Sequence, residues 1–316
     1  MTAGFALLVK ARRSAWVARL LLLMGVLAVS ACATASGPEF AKHNQLIDVS
    51  VSGEDAQRMS VRIAGQGPPV VLIHGLGGNH FSWRRISPLL KRDFRVIVPE
   101  QIGFGASDKP IDADYRLAAQ AERLIRLIRR LERRKVVLVG DSTGGTLALM
   151  IAVKAPELVR KLVLIGAPLA VEDLPAVRAL APIADVAEAA MWLTPPTVVS
   201  AIGSASIYPL GYWPTAEEIA LRAHTLRDPG GYVATIRTGR ALFATDSSDL
   251  RQEVRAIAAP ALLIWCRNDT LVPLSQAREL HRKLPNARLE RLGNCDHAGH
   301  YLEGERISSL IRNFAR

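Results

Sequence analysis

The chain has 316 residues, 49% hydrophobic and 22% charged, which excludes a disordered or collagen-like polymer and allows a sizeable core. Lys and Arg number 40 against 29 Asp and Glu, a formal charge of +11, so a nucleic-acid or anionic-membrane partner has to be weighed. Three cysteines cannot build a disulfide framework, and without a C-x-x-C pair there is no zinc signature of that type.

Four of the excess basic residues, Lys10, Arg12, Arg13 and Arg19, precede an uncharged run from Leu20 to Ala31. The strongly apolar part is shorter than the ~20 residues of a spanning helix and has the layout of a secretory signal. Val29-Ser30-Ala31-Cys32 resembles the lipobox of bacterial lipoproteins. That resemblance implies a signal peptide over 1–31, a lipidated Cys32, and a tether over 32–44. The catalytic domain would then stand outside the cytoplasm on a membrane. Without the leader, 36 basic residues face 29 acidic ones, or +7.

Strand–helix alternation begins near residue 45. Leu46–Val51 and Met59–Ile63 alternate apolar and polar residues, as half-exposed antiparallel strands do. Pro69–Ile73 is a continuous apolar run, the pattern of a strand buried on both faces, and Phe94–Val98 is the next strand. A helix is predicted over 114–134, where leucines and isoleucines interleave with Arg116, Arg123, Arg126, Arg129, Arg130, Arg133, Arg134 and Lys135. The basic run reads as a solvated helix face. It lacks the interleaved aromatics of a nucleic-acid stacking surface, so no nucleic-acid partner is expected. Val136–Val139 is a strand, Ser142 to about Ala155 a helix, and Leu162–Ile165, Ala261–Trp265 and Ala287–Leu292 are further strands. This order indicates a parallel sheet covered on both faces. Residues 169–257 hold no strong buried strand, are rich in Ala and punctuated by Pro, and read as several helices in one insertion.

Gly140-Asp141-Ser142-Thr143-Gly144 fits G-x-S-x-G and sits between a buried strand and a helix, the context of a nucleophile elbow. Ser142, not Asp141, occupies the apex, because the glycine two residues on follows Ser142. Asp141 is a flanking residue. A serine nucleophile needs a base and an orienting acid, in the chain order Ser, acid, His. Asp269 follows the strand at 261–265 and is the candidate acid. His297 is the first histidine after the last strand and is the candidate base, with His300 about one turn on as a supporting residue. Asp296 is a poor orienter because adjacent side chains diverge.

These residues, with His74-Gly75-Leu76-Gly77, Trp83 and the loop Gly103-Phe104-Gly105-Ala106-Ser107-Asp108-Lys109-Pro110, resemble the α/β-hydrolase superfamily over residues 45–316. The nearest branch is that of capped esterases, C–C bond hydrolases and dehalogenase-like enzymes. The resemblance implies a mostly parallel eight-stranded sheet flanked by helices, with a helical cap at about 169–257. It implies oxyanion donors at the backbone N–H groups of Leu76 and Thr143. Three departures stand out: Glu100 where many relatives carry Asp, Thr143 where dehalogenases carry a halide-binding Trp, and Ala298 where C–C hydrolases often carry Trp. Cys266 and Cys295 follow neighbouring strands, so a disulfide and two free thiols are both open. Of the cap aromatics, Trp192, Tyr208, Tyr212, Trp213, Tyr232 and Phe243, most are expected to pack helices together, and His224 is expected to be structural or exposed.

The expected activity is a carboxylesterase acting on a small apolar ester through an acyl-enzyme, a reaction of the three side chains that implies neither cofactor nor metal. Alternatives are C–C bond hydrolysis of a diketone-like substrate and a non-catalytic binding lipoprotein on the same fold.

Overall fold

A computed structural model describes residues 44–50, 56–207, 215, 219, 223, 225–293 and 295–316. Cys32, the leader and the tether up to residue 43 lie outside the described residues, as do Tyr208, Tyr212, Trp213 and His224, whereas Asn44, the last residue read as tether, opens the first strand.

Eight strands form one sheet: β1 (Asn44–Asp48), β2 (Arg58–Ala64), β3 (Pro69–Ile73), β4 (Arg95–Glu100), β5 (Val136–Asp141), β6 (Val159–Ile165), β7 (Ala261–Cys266) and β8 (Ala287–Leu292). Their spatial order is β1-β2-β4-β3-β5-β6-β7-β8. β2 is antiparallel to both β1 and β4, and every other pairing is parallel, so β2 alone runs against the rest. The first strand starts and stops earlier than its alternation predicts. Asp48 accepts a hydrogen bond from the Ser50 amide at 2.9 Å, a local turn that competes with the ladder.

The continuous apolar runs are those buried on both faces. Val71, Ile73, Leu138, Leu162, Leu164, Leu263 and Trp265 belong to one core cluster. Their alternate neighbours Val70, Leu72, Val137, Val139, Val163, Leu262 and Ile264 belong to a second. Helices Leu117–Leu131, Thr143–Lys154 and Leu274–Lys283 supply the first cluster. Trp83, Ile86, Leu90 and the C-terminal helix Gly304–Ala315 supply the second.

The helix Leu117–Leu131 is three residues shorter at each end than the 114–134 read from sequence, and one of its basic residues faces the other way. Arg126, Arg129 and Arg130 are exposed, whereas Arg123 is fully buried and donates to the Asp114 carbonyl at 2.6 Å. Arg123 therefore belongs to the inward face, where its guanidinium satisfies loop backbone instead of joining a solvated basic stripe.

Between β6 and β7 the described residues form mostly helices, among them the α-helices Pro175–Leu180, Ala184–Trp192, Pro196–Ile207, Pro229–Phe243 and Ser248–Glu253. Trp192 and Tyr232 meet edge to face at 5.3 Å between centroids, and the Tyr232 hydroxyl donates to the Thr194 carbonyl. This pair packs cap helices together. At the entry to the segment, Gln276 from the helix after β7 clamps the chain. Its Oε1 accepts from the amides of Leu169 and Ala170, both at 2.9 Å, and its Nε2 donates to the Ala170 carbonyl at 2.7 Å.

Candidate active site

β5 ends at Asp141 and the next helix begins at Thr143, which leaves Ser142 alone in the turn. Its backbone has φ 53° and ψ −126°, and it is the only non-glycine residue with positive φ among the described residues. Such a conformation costs on the order of 1–3 kcal/mol and persists only where surrounding contacts enforce it. One contact is the Ser142 amide, which donates to the Ile165 carbonyl at 2.8 Å and so extends the β5–β6 ladder. Another is steric: a Cβ on Gly144 would come within 2.3 Å of the Ile73 carbonyl oxygen. The second glycine of the motif thus lets the new helix seat against the end of β3.

The side chains of Ser142, Asp269 and His297 meet at the carboxyl end of the sheet. Ser142 Oγ lies 2.9 Å from Nε2 of His297, and His297 Nδ1 lies 2.8 Å from Oδ2 of Asp269. The His297 and Asp269 side chains are only 8% and 2% exposed. The second oxygen of Asp269 accepts from the amides of Leu271 and Val272 at 3.0 and 2.8 Å, which fixes the carboxylate. Asp269 therefore both organises its own loop and faces the imidazole. Asp296 makes no hydrogen bond to His297, as diverging neighbours imply.

Burial pushes the His297 imidazole toward its neutral form. The adjacent Asp269 charge and hydrogen bond, with help from Asp141 and Asp296, outweigh that and hold its pKa above the usual 6.5. The arrangement can take a proton from the serine hydroxyl and hold it as an imidazolium beside a carboxylate.

Beneath the His74-Gly75 loop the reverse balance applies. His74 is fully buried, and burial pulls its pKa down despite the nearby Gly75 carbonyl and the Glu100 and Asp141 charges. Its Nε2 accepts from the Gln101 amide at 3.1 Å and its Nδ1 donates to the Gly75 carbonyl at 2.8 Å, which sets one neutral tautomer. This histidine shapes the loop that carries Leu76. Leu76 and Thr143, the two residues expected to supply oxyanion donors, both line the cavity beside Ser142. Thr143 opens its helix, so its N–H has no acceptor one turn earlier within the helix.

Glu100, the departure noted in sequence, joins two loops. Its Oε1 accepts from the amide and Nδ1 of His80 at 3.1 and 2.7 Å, and its Oε2 accepts from the Ala106 amide at 2.8 Å. Neither His80 nor this pairing was singled out in the sequence, because the partners lie twenty residues apart and carry no shared motif.

A cavity of about 360 Å³ opens onto Ser142 and His297. Its walls include Val177, Leu180 and Val199 from the helical segment, with Leu226, Leu242 and Val272. Asp141, Ser200, Thr225, Thr235 and His300 add polar groups, and no Lys or Arg lines it among the described residues. Among the described residues no group of three or more His, Cys, Asp or Glu side chains could hold a metal ion. None of their helices is long and apolar enough to cross a membrane.

A family model for the alpha/beta hydrolase fold matches residues 68–304. The chain belongs to the α/β-hydrolase family. An uncharacterised protein of Mycobacterium tuberculosis is 31% identical over 268 residues, covering 81% of this chain and 78% of that protein. A 2-hydroxymuconate semialdehyde hydrolase of Pseudomonas putida is 30% identical over 268 residues, covering 81% of this chain and 90% of its own length. Among solved structures, a meta-cleavage product hydrolase from Pseudomonas fluorescens superposes with a TM-score of 0.70 at 26% identity, covering 82% of this chain and 94% of that one. The α/β-hydrolase described here shares with that structure its fold over most of its length.

Proposed function

We propose that this α/β-hydrolase is a serine carboxylesterase. The carrying observation is the continuous hydrogen-bonded line Asp269–His297–Ser142 at the foot of a mainly apolar cavity. Ser142 Oγ attacks the ester carbonyl while His297 Nε2 takes its proton. The amides of Leu76 and Thr143 receive the oxyanion, and Asp269 steadies the imidazolium. His297 returns the proton to the departing alkoxide. Water, activated by the same imidazole, then releases the acid from the acyl-enzyme. A cavity walled by aliphatic side chains, without a cation in its described lining, favours an uncharged apolar acyl group over an anionic one.

C–C bond hydrolysis of a diketone-like substrate by the same three residues is the second reading. It is favoured by the names of the relatives from Pseudomonas putida and Pseudomonas fluorescens. A panel of p-nitrophenyl esters set against such diketones, with purified protein, separates the two. The ester reading expects kcat/KM for the best ester to lead by about tenfold or more. Turnover of diketones alone would overturn it. A binding protein without catalysis would leave Ser142 unlabelled by a fluorophosphonate, and the esterase reading expects full labelling.

The leader belongs to the same proposal. A lipidated Cys32 would tether the enzyme to a bacterial membrane, with its catalytic domain outside the cytoplasm. Intact mass of membrane-extracted protein is expected to show an acylated chain beginning at Cys32. A soluble, unacylated mature chain would overturn this part alone.

A further inference from the structure

Cys266 closes β7, Cys295 lies in the loop after β8, and a disulfide joins them with Cα atoms 5.3 Å apart. The two half-cystines bracket the site. Asp269 stands three residues beyond Cys266, and His297 two residues beyond Cys295. The β7–β8 ladder ends at Cys266 and Leu292, after which the Arg267 amide donates to the Leu292 carbonyl at 2.9 Å. Beyond that point the acid loop and the base loop leave the sheet separately, and the bridge joins them covalently. It is buried, with Cys266 6% and Cys295 3% exposed. The chain after His297 rests on it: a Cβ on Gly299 would fall 2.5 Å from Cys266 Sγ and 3.4 Å from Cys295 Sγ.

We propose that the Cys266–Cys295 disulfide positions the acid and the base, so that turnover depends on its oxidation state. The proposal rests on the roles given above to Ser142, Asp269 and His297. The Asp269–His297 hydrogen bond spans two loops and is 2.8 Å long. A misplacement of about 1 Å in such a pair can cost on the order of a hundredfold in rate. A covalent link whose ends lie two and three residues from the pair limits that displacement. An oxidising compartment, where such bridges persist, agrees with the export signal read around Cys32.

A dithiol such as dithiothreitol supplies the two electrons for opening the bridge. Its thiolate attacks one cysteine sulfur, the S–S bond breaks, and the other cysteine leaves as a thiolate that takes a proton. The reagent's second thiolate then displaces the first cysteine, giving two cysteine thiols and the cyclic oxidised reagent.

The test follows thiol content, circular dichroism and ester turnover together in wild-type protein during reduction and reoxidation. The expected result is a fall in kcat of about ten- to a hundredfold that tracks thiol appearance, with KM little changed and recovery on reoxidation. The acid limb of kcat/KM should also move to lower pH, because the Asp269 charge is what lifts His297. The folded double variant Cys266→Ser/Cys295→Ser should reproduce both effects. Unchanged kcat and an unchanged pH profile in fully reduced, folded protein would overturn the proposal. Fluorophosphonate labelling of the oxidised enzyme separates the two levels. An unlabelled Ser142 removes the hydrolase reading and this proposal with it, whereas full labelling with no dependence on the bridge overturns this proposal alone.

Discussion

Nδ1 of His300 lies 3.0 Å from Oδ1 of Asp141, one residue before Ser142, yet the approach direction falls outside hydrogen-bond geometry. Both side chains are nearly buried and both line the cavity at Ser142. Asp141 is therefore a second carboxylate beside Ser142, Asp269 and His297, held against an imidazole other than the proposed base. Its charge contributes to lifting His297. Asp141→Asn removes that charge with little change of volume. The acid limb of kcat/KM should then move to lower pH, and kcat should fall by roughly tenfold or less, well short of the loss for an oxyanion donor. A pH–rate profile on one ester decides this, and a limb that stays in place would show that Asp141 is electrostatically silent at the site.

The triad carries the larger effects. His297 must be neutral to accept the Ser142 proton, and its pKa is raised, so activity should fall as pH drops through a midpoint above 6.5. Asp269→Asn removes the leading cause of that rise. It should pull the midpoint down while lowering kcat by about 10⁴-fold. Ser142→Ala should lower kcat by about 10⁶-fold and abolish fluorophosphonate labelling. Steady-state kinetics between pH 5 and 9 on the three proteins is the measurement.

The sheet and the elbow were legible because their causes are local. A strand buried on both faces must be apolar throughout, so β3, β7, most of β5 and the Leu162–Ile165 part of β6 are visible as uninterrupted runs, whereas Arg160 and Lys161 hide the start of β6. A serine forced to positive φ needs a glycine where the helix meets β3, and that glycine is in the motif. What the sequence hid depends on tertiary meetings. Arg123 looks like its solvated neighbours until the Asp114 carbonyl is placed beside it. Glu100 looks like a departure until His80 and the Ala106 amide converge on it. Cys266 and Cys295 could be paired only once the register of β7 on β8 was known.

Gln276 supports the helical segment at its root. Its amide satisfies three backbone groups at Leu169 and Ala170, and it is only 5% exposed. Gln276→Leu keeps comparable bulk but orphans two N–H groups and one carbonyl. Each orphan costs about 1–3 kcal/mol, so a loss of roughly 3 kcal/mol is expected after relaxation. Urea unfolding should show the loss as a lower midpoint at unchanged slope. KM should rise more than kcat falls, since the clamp holds cavity walls and not the triad. An unchanged midpoint would mean that water or a shifted chain replaces the clamp without cost.

Glu100 makes stability pH-dependent in a stated window. Burial favours its protonated form, but the hydrogen bond and charge of His80, with the amides of Ala106 and His80, prevail and bring its pKa from 4.5 to about 2. A carboxylate bound more strongly in the folded state contributes its stability above the unfolded value. That contribution is lost as pH falls from about 4.5 toward 2. Glu100→Gln cannot offer two acceptor oxygens, so it should lose about 3 kcal/mol at pH 7 by breaking a buried pair. The gap to wild type should close as pH falls through that window. Glu100→Asp keeps the charge but shortens the reach by one methylene, so it should satisfy either His80 or the Ala106 amide and lose an intermediate amount. Unfolding midpoints for the three proteins at pH 7, 4 and 3 test the order. A gap between wild type and Glu100→Gln that stays constant down to pH 3 would refute the ionised role of Glu100.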